Sequence, residues 1–273
     1  MLMNDVTVGI PFYKGSNVKH FRIAVDSILS QTLIPKEIHL IQDGSVPQEL
    51  KEAVNEYTVK YPHIKHILIV KNMGLAHALN ISILNSSSKY YARMDSDDIA
   101  HPERLSKQVN FLEKNADIDI LGTWAFVFEN EFPNQNCSIR MMPVTNKKIH
   151  ELFHYQNPLM HPSVIFRVNV FAKTGLYNME FISECDLELW ARALKLGVGI
   201  SNLSEPLLYY RNTGVIARRS AALGQQIKAR YRYNTLSLKL NILKFLSLLF
   251  RLLPQSWQMW GYKVFKQERK LQI

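Results

Sequence analysis

The sequence predicts an α/β fold, a Rossmann-like, mostly parallel sheet flanked by helices and followed by a basic helical tail. Three observations carry the prediction. Strand-like and helix-like periodicities alternate through the first hundred residues, as βαβ units require. A short polar loop follows each early strand, the place where ligands of such sheets bind. The charge is concentrated at the end: the 273 residues carry a net charge of +10, yet after residue 216 twelve Lys and Arg face Glu268 alone. The body is therefore close to neutral, and the high pI says little about its ligand.

Each element follows from its own pattern. Val6 to Pro11 is an apolar strand, and Phe21, Ala24, Val25, Ile28 and Leu29 form a helical stripe over about 19–31, with Asn17 as its cap. Glu37 to Gln42 gives a second strand ending at Asp43-Gly44-Ser45. A helix is expected from Pro47 to about Lys60, and a third strand from Ile64 to Val70. A further helix over about 75–85 leads to a fourth strand, Tyr90 to Met94, which stops at Asp95-Ser96-Asp97-Asp98 before a helix opened by Pro102. Beyond Ile118 the pattern is less regular, with a strand from Ile120 to Phe128, a loop through Asn157 to Ser163 and a helix from about Glu184 to Leu196.

Composition narrows the class. With 47% hydrophobic and 21% charged residues, 11 Gly and 11 Pro, the chain has ordinary globular proportions. One large domain with an appendage is expected, 1–216 and then a tail over 217–273. Two cysteines, Cys137 and Cys185, exclude a disulfide scaffold and suit a reducing cytosol. The N-terminus carries Asp5 and no basic run before its apolar stretch, which predicts no signal peptide. The most apolar window, Leu236 to Leu253, is interrupted by Lys239, Lys244 and Arg251, so no span is predicted.

Asp95-x-Asp97-Asp98 is the sharpest chemical feature. Two carboxylates one residue apart at a strand end can share Mg²⁺ or Mn²⁺, whose shell substrate phosphates then complete. Asp is also common in turns, and Asp98 can simply face the dipole of the following helix. Phosphate loops of the G-x-x-x-x-G-K-[ST] and G-x-G-x-x-G types are absent, which disfavours P-loop enzymes and dinucleotide binders. His150 and His154 have helical spacing but no adjacent carboxylate to complete a metal site.

Taken in order, Ile10-Pro11-Phe12-Tyr13, Gln42-Asp43-Gly44-Ser45, Lys71-Asn72-x-Gly74-Leu75-Ala76-x-Ala78-Leu79-Asn80, Met94-Asp95-Ser96-Asp97-Asp98 and Cys185-Asp186-Leu187-Glu188-Leu189-Trp190-x-Arg192 resemble family 2 glycosyltransferases of the GT-A fold. The resemblance covers roughly residues 5 to 212 and is closest to bacterial exopolysaccharide and O-antigen enzymes. It implies a nucleotide-binding half over about 1–115 and an acceptor and catalytic half over about 116–216. Pro11 and Tyr13 would border the nucleotide, Asp43 would accept from a uracil-type N–H, and Lys71 and Asn72 would lie nearby. Asp95 would face the ribose or metal side, and Asp97 would be the principal ligand of Mn²⁺ or Mg²⁺. Gln42 and Cys185 stand where the family usually has acids.

The implied reaction is inverting transfer from a nucleotide-sugar, in all expectation a UDP-sugar, to a glycan acceptor. A metal ion neutralises the departing diphosphate, and one carboxylate takes the acceptor proton. Asp186 aligns with the family's catalytic base. Glu184, two positions away, competes for that role, and helix capping by Asp186 with Glu188 in solvent is the structural alternative. His161-Pro162-Ser163 resembles an acceptor-side segment, which makes His161 an acceptor-side candidate, with Glu184 beside Asp186 as another; a turn with a bonded imidazole explains His161 equally well. Trp190 reads as core, and Arg93 as a partner for one of the aspartates. A non-catalytic sugar-nucleotide-binding or scaffold protein of the same fold is the alternative in another class.

The tail reads LSLKLNILKFLSLLFRLL over 236–253, followed by Trp257, Trp260, Tyr262, Lys263, Lys266, Arg269 and Lys270. Aliphatic residues with embedded cations and flanking indoles suit a helix lying in a headgroup layer. The expected partners are thus a nucleotide-sugar, a polyprenyl-diphosphate-linked glycan and the inner-leaflet surface, with a peripheral location on its cytoplasmic face. A helix packed on the body is the other reading. No nucleic-acid module accompanies the charges, so no nucleic-acid partner is expected.

Overall fold

The computed structural model describes residues 5–129, 137–212, 222–254, 256–258, 261 and 268–270, the last three by backbone alone. The alternation expected for the first half is present. It runs β1 (Val6–Tyr13), α1 (Val18–Leu29), β2 (Glu37–Asp43), α2 (Gln48–Lys60), β3 (Ile64–Ile69), α3 (Leu75–Leu84) and β4 (Tyr90–Arg93). Asn17 caps α1, its side chain accepting the His20 N–H at 3.1 Å. A two-residue strand, β5 (Ile99–Ala100), intervenes before α4 (Arg104–Lys114).

The second half contains β6 (Ile120–Phe128), β7 (Ser138–Arg140), α5 (Asn146–Phe153), β8 (Ile165–Arg167), α6 (Val170–Thr174), α7 (Cys185–Lys195) and β9 (Ile200–Arg211). The tail supplies α8 (Leu223–Arg230), α9 (Leu238–Leu249) and β10 (Glu268–Lys270). Strands β3, β2, β1 and β4 are parallel neighbours. Beyond β4 the sheet turns mixed: β8 runs antiparallel between β4 and β6, while β9 lies parallel to β6 and takes β5 along its other edge. The parallel part is thus the first half of the chain, where the connections are helices.

Alternation within β1 explains the layering. Val6, Val8, Ile10 and Phe12 point into a core formed with α1, α2 and α4. Thr7 and Gly9 face the opposite side, where α3, α5, α6 and α7 bury Leu79, Phe153, Phe171 and Trp190 with Tyr91 and Phe166. Gly9 is required there, because a Cβ would sit 1.9 Å from the Tyr91 hydroxyl. Pro11 falls past Gly9, the last residue at which β1 pairs with β4, so its missing N–H sits where the strand has one neighbour.

Part of the tail is built into the body. Ala229 of α8 belongs to the same core cluster as Trp190, and Gln226 and Arg230 are buried beside it. A division at 216/217 therefore does not separate two independent packing units. Ser237 caps α9. Lys244 is buried, its ammonium donating to the carbonyls of Arg230 (3.2 Å) and Tyr233 (3.0 Å), so this cation closes the end of α8 and does not face outward. The apolar side chains of α9 are arranged the other way: Leu238, Ile242, Phe245, Leu246 and Leu249 are exposed, and Leu252, Leu253 and Trp257 continue the surface. Among the described residues no helix is long and apolar enough to cross a membrane. Arg218, Arg219, Trp260, Tyr262, Lys263 and Lys266, and the side chains of Arg269 and Lys270, lie outside what the structure describes.

Candidate active site

The four polar loops meet at one edge of the sheet. A depression of about 440 Å³ is lined by Tyr13, Lys14, Asp43, Ser45, Val70, Lys71 and Asn72. Asp43, at the end of β2, shapes its floor: one carboxylate oxygen accepts from the Met73 N–H (2.7 Å), the other from the Gly74 N–H (2.8 Å). Asn72 Nδ2 donates to the Asp43 carbonyl at 3.1 Å. Gly44 adopts a φ of 84°, and a Cβ there would press on the Asn72 amide at 2.9 Å, so glycine lets the two loops touch. Gln42 is buried, donates to the Gly44 carbonyl at 2.9 Å and contacts His66 at 3.1 Å. A carboxylate has no N–H to give that carbonyl, which accounts for an amide at this position.

The acidic turn stands beside this pocket, tied to the first loop by a 3.3 Å contact between the Ser16 and Ser96 hydroxyls. Ligand oxygens of Asp95, Asp97 and Asp98 lie within 4.8 Å of one another. Arg93, buried at the end of β4, grips both oxygens of Asp95. The end of β9 braces the turn from behind: the Arg211 N–H donates to Asp98 Oδ1 at 2.8 Å, and its guanidinium donates to the Asp97 carbonyl at 2.9 Å. Burial and the neighbouring Asp95 push the Asp97 carboxyl upward; burial with Asp95 and Asp97 does the same, more strongly, to Asp98. Asp98 Oδ2 is buried with no hydrogen-bond partner among the described residues. Three hard oxygen donors whose mutual repulsion Arg93 and Arg211 only partly relieve fit a hard divalent cation. Asp98, for which the sequence also offers the helix dipole, joins the Asp95 and Asp97 cluster, held from β9 by the Arg211 N–H.

The base candidates sit at the start of α7. Asp186 is in its first turn and not at the cap, and its Oδ2 accepts from Asn157 Nδ2 at 2.7 Å. Burial raises the Asp186 carboxyl, while hydrogen bonds from Leu187 and Asn157 and the charge of Arg93 work against that rise. The charge of Arg93 thus bears on both the acidic turn and Asp186. Glu184 occupies the cap position without capping; its Oε1 accepts from Gln226 Nε2 at 2.7 Å. Burial and Asp186 push Glu184 up to about 7.

The alternative with Glu188 in solvent fails. Glu188 is fully buried and accepts three bonds from Arg192 at 2.8–3.0 Å and an ion pair from Arg232 at 2.9 Å. Arg192 also donates to the carbonyls of Thr174 and Leu176, which locks α7 onto the preceding loop. Cys185 is a buried free thiol that burial holds well above its usual range, so it supplies no anion. His161 is buried, bonded to the Tyr177 hydroxyl at 2.9 Å and set edge-on to Trp190. Burial and Arg93 keep this imidazole neutral, in the bonded turn that was one of its two readings. Trp190 is core, as its spacing indicates. Asn157, Tyr177 and Gln226 carry no local signal of their roles and emerge from tertiary contacts alone.

This fold and this arrangement of loops define a GT-A transferase. The model of the family described as "Glycosyl transferase family 2" matches residues 7–175, and the chain belongs to that family. The match ends before α7, so the base rests on geometry and resemblance. Among relatives, the chain is 32% identical over 247 residues to the Escherichia coli UDP-Gal:alpha-D-GlcNAc-diphosphoundecaprenol beta-1,3-galactosyltransferase, covering 88% of each chain. It is 30% identical over 205 residues to the amylovoran biosynthesis glycosyltransferase AmsE of Erwinia amylovora, covering 75% of each. Among solved structures, S. aureus TarS 1-349 in complex with UDP-GlcNAc superposes with a TM-score of 0.63 at 18% identity, over 96% of this chain and 76% of that one. The Pyrobaculum calidifontis mannosyltransferase PcManGT, in complex with GDP-Man and Mn²⁺, gives 0.65 at 14%, over 95% and 73%.

Proposed function

We propose that this family 2 enzyme transfers a hexose with inversion from a UDP-sugar to a polyprenyl-diphosphate-linked glycan in cell-surface polysaccharide assembly. The observation that carries the reading is the acidic turn of Asp95, Asp97 and Asp98 beside a depression of about 440 Å³, with the buried, Asn157-bonded Asp186 carboxyl at the start of α7. The relatives' printed activities, transfer to a GlcNAc diphosphoundecaprenol and amylovoran biosynthesis, support the acceptor class.

In this mechanism Tyr13, Pro11, Lys71 and Asn72 border the nucleotide, and Asp43, with a free lone pair left on each oxygen, accepts from the base N–H. Asp95, Asp97 and Asp98 would hold Mn²⁺ or Mg²⁺, whose chemistry is to neutralise charge on the departing diphosphate. Asp186 accepts the acceptor hydroxyl's proton as that oxygen bonds the anomeric carbon; the bond from that carbon to the diphosphate breaks on the opposite face, and its electron pair leaves on the phosphate oxygen. Asn157 holds the Asp186 carboxylate in place during this transfer. On this reading the body divides into a nucleotide half up to about 115 and an acceptor half beyond it.

The exposed apolar run from Leu238 to Trp257 is proposed to lie in the headgroup layer of the inner leaflet, bringing the site to a lipid-linked acceptor. A donor screen tests the reading. Purified protein with Mn²⁺ should release nucleotide from UDP-sugars in preference to GDP- and dTDP-sugars, and a silent panel would overturn the assignment.

A further inference from the structure

The loop after β1 is a closed turn that links the depression to the acidic turn. The Ser16 N–H donates to the Tyr13 carbonyl at 2.9 Å, and the Tyr13 N–H donates back to Ser16 Oγ at 3.1 Å. Lys14 and Gly15 thus form its tip. The Tyr13 ring folds over Gly15, where a Cβ would stand 2.7 Å from ring atoms. Ser16 Oγ also meets Ser96 Oγ of the acidic turn at 3.3 Å. Lys14 therefore stands two residues from that contact, on a turn closed by its own hydrogen bonds, and it lines the depression together with Asp43 and Lys71.

A nucleoside diphosphate with its base at Asp43 and its departing phosphate at the acidic turn carries its phosphates between those two places, along the Lys14 turn that joins them. The arginines behind the acidic turn are already committed. Arg93, Arg104 and Arg211 are buried. Arg93 holds Asp95, Arg104 donates to the Arg93 carbonyl at 2.8 Å, and Arg211 donates to the Asp97 carbonyl at 2.9 Å. The cations that line the depression are Lys14 and Lys71. Both are exposed, and among the described residues neither ammonium has a carboxylate partner.

We propose that Lys14 binds the diphosphate of the nucleotide-sugar and so makes the site select a nucleoside diphosphate over the bare nucleoside. The inference rests on the nucleotide site of the proposed function and adds to it a residue outside the motifs that the sequence marks. An ammonium donating to a phosphate oxygen forms a charge-assisted hydrogen bond, stronger than a neutral one. Lysine suits this place because its charge is compact and its long stem lets it reach phosphates from the tip of an exposed turn. Lys71 lies across the same depression, on the loop after β3, so the phosphates are met by a cation from each of two loops.

Equilibrium titration of the full chain with uridine and with UDP, both in Mn²⁺ at low ionic strength, tests the proposal. The wild type should bind UDP far more tightly than uridine. Lys14→Met, a change at an exposed position that should leave the fold and its melting temperature in place, should weaken UDP about tenfold and uridine by less than about twofold. Lys14→Arg keeps the charge and should recover most of that loss. Lys60→Met removes one charge at the end of α2 away from the depression and should bind UDP as the wild type does. The deficit of Lys14→Met should shrink as salt is raised, because screening weakens the lysine's contribution in the wild type. UDP affinity unchanged in Lys14→Met, or UDP and uridine weakened by the same factor, overturns the proposal. A wild type that binds neither ligand strikes the nucleotide site of the proposed function itself, so the two failures are told apart.

Discussion

Arg93 closes on Asp95 with both arms of its guanidinium, and the arginine is almost wholly buried, at 3% exposure, while its partner is 31% exposed. The pair holds one side of the Asp-Ser-Asp-Asp turn in place and, among the described residues, leaves Asp97 and Asp98 without an equivalent ion pair. The same arginine bears on Asp186, so the groups proposed for the leaving side and the attacking side share one electrostatic anchor.

Removing that anchor should cost stability in a metal-dependent way. Arg93→Met leaves three carboxylates facing one another, Asp98 buried and Asp95 and Asp97 half-buried, and an unpaired buried charge costs up to about 3–5 kcal/mol. Thermal unfolding should show the loss in chelator and a partial recovery on adding Mn²⁺. Equal melting temperatures with and without Mn²⁺ would contradict the role given to the turn.

Asp186→Asn keeps the shape and the Asn157 neighbour but removes the proton acceptor. Turnover should fall by about 10²–10⁴-fold while donor affinity stays close to that of the wild type. Calorimetric titration of UDP-sugar beside a rate assay separates the two, and a near-normal rate would dismiss Asp186 as base.

At the opposite end of the sheet Glu37 shapes the acid stability. Its burial favours the neutral form, but bonds from Lys65, Ser87 and His39 outweigh this and bring it down to about 2. A carboxyl depressed in the folded state contributes stability that is complete above its ordinary range near 4.5 and is lost as pH falls toward 2. The contribution is about 3 kcal/mol at pH 7. Urea unfolding at pH 7 and pH 3 should show a smaller acid loss for Glu37→Gln than for the wild type.

The tail can be tested without removing it. Phe245→Ser, Leu249→Ser and Trp257→Ser alter exposed positions, so the fold should persist. Each buries about 1.5–3 kcal/mol less apolar surface in a lipid interface, and the triple variant should bind anionic vesicles at least about tenfold more weakly. Undiminished vesicle sedimentation would return the tail to a purely packing role.

Much of this was legible in advance because the first half is locally coded. The stripe from Phe21 to Leu29, the alternation in β1 and the loops after each strand are patterns carried by each element's own residues, and the bounds differ from expectation by one or two residues. The acidic turn and Asp186 were readable because a motif marks them. What escaped depends on distant chain segments: β9 must return before Asp98 is turned inward, and α8 must dock before Gln226 meets Glu184. Lys244 misled for the same reason, since a cation inside an apolar stripe reads as lipid-facing until a helix end is found beneath it.

The central claim is that the turn of Asp95, Asp97 and Asp98 holds a divalent ion for the departing nucleoside diphosphate. Nucleotide release from a UDP-sugar, measured on chelator-treated protein before and after adding Mn²⁺, tests it most directly. The account predicts negligible release in chelator, recovery with Mn²⁺, and no recovery in folded Asp97→Asn. Full release in chelator, or an Asp97→Asn variant that turns over as the wild type does, would contradict it.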